Sequence, residues 1–276
     1  MDLPPQDSRL TLCGSLSLHP VSLGAAMHLA GYRALGLPFT YVPFKVADLA
    51  GAIAGMRALG IRGFGVSMPY KQAIIPLLDA LDVQASRIGA VNTVVNEEAG
   101  ITGHNTDAYG AVRAIEEEIH IVGQRVLLLG AGGAARAVAH GVRDKGAELT
   151  IANRDRDKAE ALAVETGAHA AGLDEATRAG EYAIVINATS KGMGEVDRAS
   201  PIPEAALREG QVVMDIVYKP IETELILAAR RRGARAIHGG RMLLHQAARQ
   251  FELYTGHEAP LEVMEAALLR QIAKTS

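Results

Sequence analysis

The apolar residues of this chain change their period repeatedly, and each change marks an expected element. "LTLCG" is a short, nearly continuous apolar run and predicts a strand. Between Leu23 and Leu35, the residues Leu23, Met27, Ala30 and Ala34 fall on one helical stripe. "FTYVPF" returns to strand, and "DLAGAIAGMRALG" predicts a helix that Asp48 caps and Gly60 stops. "IRGFGVS" is strand-like, whereas "KQAIIPLLDAL" has helical spacing that Pro76 should start or kink. "AVNTVVN" and "GITG" predict strands around a turn, and a helix from about Asp107 to Ile119 should bury Val112, Ile115 and Ile119. A second alternating series has strands at "VLLL", "LTIANR", "YAIVINAT" and "QVVMDIV", and closes on two amphipathic helices, "IHGGRMLLHQAARQFELYTG" and "LEVMEAALLRQIAK". On the first of these, Leu243, Ala247, Phe251 and Tyr254 form the expected buried stripe, with Gln246 on its flank. Alternation of this kind implies an α/β protein with mostly parallel sheet covered on both faces.

Composition narrows the classes of partner. A chain of 276 residues, 49% apolar, can bury two modest cores. The formal charge of −3 is dispersed and offers no electrostatic footprint for nucleic acid. The single cysteine, Cys13, cannot close an internal disulfide, which fits a reducing cytosol; within "LTLCGSL" it is expected to be a small buried hydrophobe. "MDLPPQDSRL" lacks the basic-then-apolar order of a signal peptide, and no run of apolar residues is long enough to span a membrane. The nine histidines have no metal-ligand spacing. The expectation is a soluble cytoplasmic protein without a metal.

The most specific local signal is "VLLLGAGGAARAVA". A buried strand leads into Gly130, Gly132 and Ala135 at the three small-residue positions of a dinucleotide fingerprint, and a helix begins at once. Gly130 permits the tight turn, Gly132 lets backbone N–H groups approach a pyrophosphate, and Ala135 allows close helix–strand packing. The candidate cofactor-binding residues here are Gly130, Ala131, Gly132, Gly133 and Ala134. The next strand ends at Asn153, where an NAD-binding enzyme usually places a carboxylate for the ribose 2′-hydroxyl. Arg154 follows, and its guanidinium suits a 2′-phosphate. Asp155 would oppose that phosphate if it faced the pocket, unless it or Asp157 caps the next helix. NADP is therefore favoured, with NAD as the alternative.

Lys71, Asn92 and Asp107 each fall just beyond a strand or at a helix start, where an open α/β sheet lines its ligand crevice. "VSMPYK", "AVNTVV", "GHNTDAYG", "GAGGAARA", "NATSKGM" and "GGRMLLHQA" occur in the order seen in shikimate dehydrogenases. The resemblance covers nearly the whole chain and is greatest to the branch that includes quinate and aminoshikimate enzymes. It implies a catalytic pair, Lys71 and Asp107, and substrate contacts from Ser67, Asn92, Tyr218 and Gln246. It also implies that Asn153, Arg154, Thr189, Met193 and Gly240 lie on the cofactor, with Met193 near the nicotinamide. Ser190 stands where the family usually has proline. The family's H-S-x-S-P signature is not matched. Ser15 and Ser17 form an earlier S-x-S, and Ser22 lies nearer the following helix, so these three serines are the candidates for holding a substrate carboxylate.

The implied architecture is two α/β domains. Residues 1–106, completed by helices from 240–276, would form a substrate-binding catalytic domain, and residues 107–239 a Rossmann-type doubly wound domain for NADP. The implied activity is reversible reduction of 3-dehydroshikimate to shikimate by a monomer or homodimer acting on a small-molecule substrate. A quinate or aminoshikimate dehydrogenase using NAD(P) is the nearest alternative, and a ligand-sensing homologue without turnover is the alternative from another class. An ordinary lysine is already protonated at neutral pH, so Lys71 suits the reductive direction as the proton donor.

Overall fold

Strands and helices alternate through the chain as the changes of period require. The structure, a computed structural model, describes residues 10–194 and 198–274; the stretch read for a signal peptide lies, but for Leu10, outside them. The chain divides into two units, one running to Thr106 and resuming at Ala247, the other from Asp107 to Gln246.

The first unit contains β1 (Thr11–Ser17), α1 (Leu23–Ala34), β2 (Phe39–Lys45), α2 (Leu49–Leu59), β3 (Gly63–Val66), α3 (Tyr70–Ala73), β4 (Ala80–Leu81), α4 (Val83–Ile88), β5 (Thr93–Glu97) and β6 (Gly100–His104). Its sheet has the order β2-β1-β3-β5-β6-β4. β1 is parallel to β2 and β3, and β4 to β6, while β5 runs antiparallel to both its neighbours. Asp48 caps α2 by accepting from the Gly51 N–H at 2.9 Å, and Gly60 ends it at φ +63°, a conformation that costs glycine little. "KQAIIPLLDAL" is not one helix: α3 covers four residues, a 3₁₀ turn spans Ile75–Leu77, and β4 follows. Pro76 has no N–H to continue the i→i−4 ladder, so the segment breaks there.

One face of this sheet packs Leu16, Phe64, Val66, Val94 and Ile101 against Ile53 and Met56 of α2. Over other residues of the unit lies an aromatic cluster, in which fully buried His28 stacks on Tyr41 with ring centroids 4.5 Å apart and has Tyr32, Phe251 and Tyr254 around it. Burial pushes the His28 pKa down to about 4. A depressed folded-state value means that unfolded chains take up a proton below about pH 6.5 that the native state refuses until about pH 4. Stability is therefore held above pH 6.5 and lost as pH falls through that window, by about 3 kcal/mol for this one group. Denaturant titrations of native protein and His28→Phe at pH 7, 5.5 and 4.5 should diverge accordingly, with the variant losing less; identical losses would remove His28 as the cause. Cys13 is fully buried in the same region, and burial pushes its thiol up to about 12, an inert hydrophobe as expected.

The second unit runs α5 (Thr106–Glu116), β7 (Arg125–Leu129), α6 (Gly133–Asp144), β8 (Glu148–Ala152), α7 (Arg156–Thr166), β9 (His169–Ala171), β10 (Ile184–Asn187), β11 (Val212–Asp215), α8 (Glu224–Arg231), β12 (Arg235–Ile237) and the first half of α9 (Gly239–Thr255); α10 (Leu261–Ala273) belongs to the first unit. Its strands pair in parallel in the order β12-β11-β10-β7-β8-β9. The strand order reverses between β7 and β10, the doubly wound arrangement with its switch point. "VLLL" shows why both faces are covered. Val126 and Leu128 join a core with α5 and α6, whereas Leu127 and Leu129 join the opposite core with Leu225 and Ala228 of α8. Each fully buried leucine contributes roughly 1.5–3 kcal/mol of apolar burial.

Two expected helices differ in detail. α5 stops at Glu116, leaving Ile119 beyond it and only partly buried. The changeover between units falls within α9, after Gln246, rather than at residue 240. Met242 is therefore buried in the second unit and Phe251 and Tyr254 in the first, so Leu243 stays half-exposed and one stripe does not describe the helix.

Candidate active site

In the first unit the expected residues gather through the strand register. Ser15 pairs with Gly65 and Leu16 with Val66 along β1 and β3. The Ser67 N–H donates to the Leu16 carbonyl at 3.1 Å, and the Val66 N–H to the Asn92 carbonyl at 2.7 Å. Ser15, buried Ser17, exposed Ser67 and buried Asn92 thus come to neighbouring positions, Ser17 and Ser67 at the carboxyl ends of β1 and β3. Ser22 is not part of this row. It precedes α1, and its hydroxyl accepts from Gln271 Nε2 of α10 at 2.7 Å.

Half-buried Lys71 sits on α3, and that stub is pinned from three sides. The Tyr70 hydroxyl donates to the Val46 carbonyl at 2.6 Å, the Tyr70 N–H to the Ser67 carbonyl at 3.0 Å, and the Val91 N–H to the Lys71 carbonyl at 2.8 Å. Val91 is the residue before Asn92, so the backbones carrying the lysine and the asparagine are tied together. The Asn92 side chain reaches forward in turn. Its Oδ1 accepts from the Thr106 N–H at 2.7 Å, and its Nδ2 donates to Thr106 Oγ1 at 3.0 Å. That satisfies an N–H which the first turn of α5 cannot satisfy itself. Asp107 follows in that turn, 5% exposed, where the helix end favours a carboxylate.

A buried glutamine also belongs to this network, and it is not Gln246. Gln250 Nε2 donates to Thr93 Oγ1 at 2.9 Å, and Thr93 Oγ1 donates to Asn92 Oδ1 at 2.9 Å. Gln246, the glutamine that the family resemblance singles out, falls in the second unit, where its backbone packs closely on Gly110 of α5. In the sequence, Gln250 is marked only as a polar residue one position before Phe251 of the buried stripe.

The second unit holds the nucleotide loop. Gly130 has φ +112°, and a Cβ there would lie 2.8 Å from the Ala188 carbonyl, so only glycine fits. Gly132 precedes α6 in an extended conformation with no side-chain cap, which leaves the first N–H groups of α6 for an anion. Gly133 opens the helix, and a Cβ on Gly132 or Gly133 would meet nothing within 4 Å; Ala135 is fully buried, as close packing requires. A cavity of about 580 Å³ opens beside this loop, lined by Ala131, Gly132, Asn153, Arg154, Asp155 and Lys158. Asp155 caps α7, accepting from the Lys158 N–H at 3.4 Å, and pairs with Lys158 Nζ at 3.1 Å; these contacts hold its carboxyl below the usual range. Exposed Arg154 has no ion-pair partner among the described residues. An uncapped helix start, a glycine cradle and an uncommitted guanidinium fit a phosphorylated dinucleotide.

Thr189 and exposed Met193 lie on the loop after β10, and Tyr218, 37% exposed, on the turn after β11. Gly240 is buried at the start of α9, where a Cβ would press on His238 and Ile221 at 2.9 and 3.0 Å, so packing alone calls for glycine there.

Known proteins resemble this chain over nearly its whole length. The chain matches the family described as shikimate dehydrogenase substrate binding domain over residues 19–94, shikimate / quinate 5-dehydrogenase over 113–224, and shikimate 5′-dehydrogenase C-terminal domain over 239–269. It is 44% identical to the shikimate dehydrogenase (NADP(+)) of Moorella thermoacetica, covering 94% of this chain and 92% of that protein. A crystal structure of a shikimate dehydrogenase in complex with NADP+ superimposes with a TM-score of 0.90 at 39% identity, covering 98% and 99% of the two chains. The ligand-free 5-ketofructose reductase of a Gluconobacter strain follows at 0.88 and 33%, covering 95% and 99%. On the fold, the motifs and these likenesses together, the chain belongs to the shikimate dehydrogenase family.

Proposed function

We propose that this chain is an NADP-dependent shikimate dehydrogenase that reduces 3-dehydroshikimate reversibly to shikimate. The observation that carries the reading is Lys71. Its backbone is pinned by Tyr70 and Val91 next to Asn92, in a chain whose curated relatives are named shikimate dehydrogenase (NADP(+)).

NADPH, when bound, supplies the hydride. Arg154 would hold its 2′-phosphate, and the N–H groups at the start of α6, with the Gly130–Ala134 loop, its pyrophosphate. Lys71 acts on the substrate: its ammonium gives a proton to the carbonyl oxygen that becomes the alcohol, and takes it back in the oxidative direction. Asp107, as a carboxylate, accepts a hydrogen bond from a ring hydroxyl and orients it. Asn92 and the hydroxyls of Ser17 and Ser67 supply the neutral donors and acceptors that a polyhydroxylated ring requires. Ser15, Tyr218 and Gln246 are assigned to the substrate, and Asn153, Thr189, Met193 and Gly240 to the cofactor, on their match to the family motifs.

A second reading, a quinate or aminoshikimate dehydrogenase, is favoured by one observation. The H-S-x-S-P signature is absent, and Ser22, the serine nearest the start of α1, has its hydroxyl engaged by Gln271. Absorbance of NADPH and NADH should be followed with shikimate, quinate, aminoshikimate and 5-ketofructose presented separately. The expected result is the highest kcat/KM for the shikimate couple with NADP(H). A ratio favouring another substrate by tenfold or more overturns the substrate assignment, and tight NADPH binding without turnover of any of them would make the chain a ligand sensor.

A further inference from the structure

The second unit contains a buried acid that the proposed chemistry does not use. Asp215 ends β11, is fully buried, and accepts three hydrogen bonds. Its Oδ1 takes the Asn187 Nδ2 donor at 3.0 Å and the Val217 N–H at 3.1 Å, and its Oδ2 takes the Thr223 hydroxyl at 2.6 Å. Asn187, itself fully buried at the end of β10, passes the constraint on. Its Oδ1 accepts from the Thr189 N–H at 3.0 Å and the Thr189 hydroxyl at 2.7 Å, while Nδ2 also donates to the Lys191 carbonyl at 3.2 Å. The Lys191 N–H closes the loop onto Thr189 Oγ1 at 3.2 Å. Thr223 has a second duty, accepting the Ile226 N–H as the cap of α8.

One carboxylate therefore fastens two segments, the loop from Asn187 to Lys191 and the turn from Asp215 to Val217. Both leave carboxyl ends of strands on the β10–β11 side of the switch point, across from the Arg154 cavity on the β8 side. In a doubly wound sheet a dinucleotide lies across that reversal, so the half carrying the reactive ring falls on the Asp215 side. Burial raises the Asp215 carboxyl, and the three donors oppose that rise.

We propose that Asp215 is a positioning residue for hydride transfer: through Asn187 and Thr223 it fixes the two loops that set the nicotinamide half of NADP, while leaving the adenosine half untouched. This rests on the reading of the second unit as the NADP-binding domain. A site held about 1 Å out of register loses rate far more than affinity, about 10²-fold in the extreme. In Asp215→Asn one acceptor becomes a donor facing donors, and Thr223→Val deletes the Oδ2 contact together with the cap on the Ile226 N–H.

The test measures turnover per folded binding site. Sites are counted by titration with 2′,5′-ADP, which carries the adenosine half only, and kcat is measured with NADPH and with NADPH deuterated at the transferred position. Asp215→Asn and Thr223→Val are expected to lower kcat per site about tenfold or more, to raise the isotope effect on kcat, and to bind 2′,5′-ADP within about twofold of native protein. Thr223→Ser, which keeps the donor, should recover most of the rate. Native kcat per site in both variants, or a rate loss matched by an equal loss of 2′,5′-ADP sites, overturns the proposal alone. Native protein that neither binds 2′,5′-ADP nor oxidises NADPH overturns the cofactor reading, and the proposal with it.

Discussion

Lys71→Ala is expected to lower kcat by about 10²–10⁴-fold while NADPH affinity stays within about twofold, the loss typical of a removed acid or base. The reasoning starts from the stub that carries the residue. Tyr70 and Val91 fix its backbone independently of the lysine side chain, so alanine removes the ammonium without releasing the turn. Proton donation to a ketone oxygen must accompany hydride addition. Of the other residues assigned to the substrate, Asn92, Gln246 and the serines are not acids of suitable strength, and a phenol such as that of Tyr218, though ordinarily about as acidic as an ammonium, brings no positive charge to a developing alkoxide. Asp107 does not replace the lysine, since a carboxylate is the wrong charge type to stabilise a developing alkoxide. Steady-state assays at saturating NADPH, with fluorescence titration of the cofactor, separate the two effects. Near-native kcat would end the assignment, and a matched loss of cofactor affinity would show that the variant had lost more than one group. Lys71→Met, which keeps the apolar stem, should behave like alanine if charge is what matters.

How far the sequence reveals this depends on the range of the interaction. Steric requirements within a few residues are legible. Gly130 is demanded by its own φ and by the Ala188 carbonyl, and Asp48, Gly60 and Asp155 act on N–H and C=O groups of their own helices. The apolar run "VLLL" announces a strand covered twice because each residue is buried whichever way it points. Contacts between distant segments leave no such mark. Nothing near Ser22 indicates that Gln271 will hold its hydroxyl, and nothing near Asn187 indicates Asp215, 28 residues away. The α9 helix shows the same limit. A periodic pattern specifies an apolar face, yet this helix serves one unit with Met242 and the other with Phe251, so Gln250 rather than Gln246 enters the buried network around Asn92. Around Pro76 the apolar spacing is helical, but the missing N–H overrides it.

Arg154→Ala should raise the dissociation constant of NADPH by about 10- to 100-fold and leave that of NADH within about twofold, because a charge-assisted hydrogen bond contributes about 1.5–3 kcal/mol. The two cofactors differ only at the ribose 2′ position, and the cavity beside β8 concentrates the residues that can sense it. Asn153 stands at the strand end with its amide donating to the Asp155 carbonyl at 2.9 Å, so no carboxylate occupies the place that would prefer a 2′-hydroxyl. Asp155, the one acid lining the cavity, is drawn away by its cap and by Lys158, which weakens its repulsion of a phosphate. That leaves Arg154 as the lining cation with no ion pair among the described residues to break before it binds, whereas Lys158 must first leave Asp155. Because the guanidinium is exposed, its contribution should shrink as ionic strength rises, the screening length being about 8 Å at 0.15 M. Arg154→Lys should fall between alanine and the native residue, keeping the charge but losing the two-pronged geometry. Titrations of each cofactor at low and moderate salt decide the matter. Equal weakening of NADPH and NADH would mean that Arg154 shapes the loop without meeting the 2′-phosphate, and the choice of NADP over NAD would then have to lie in the backbone of the cavity itself.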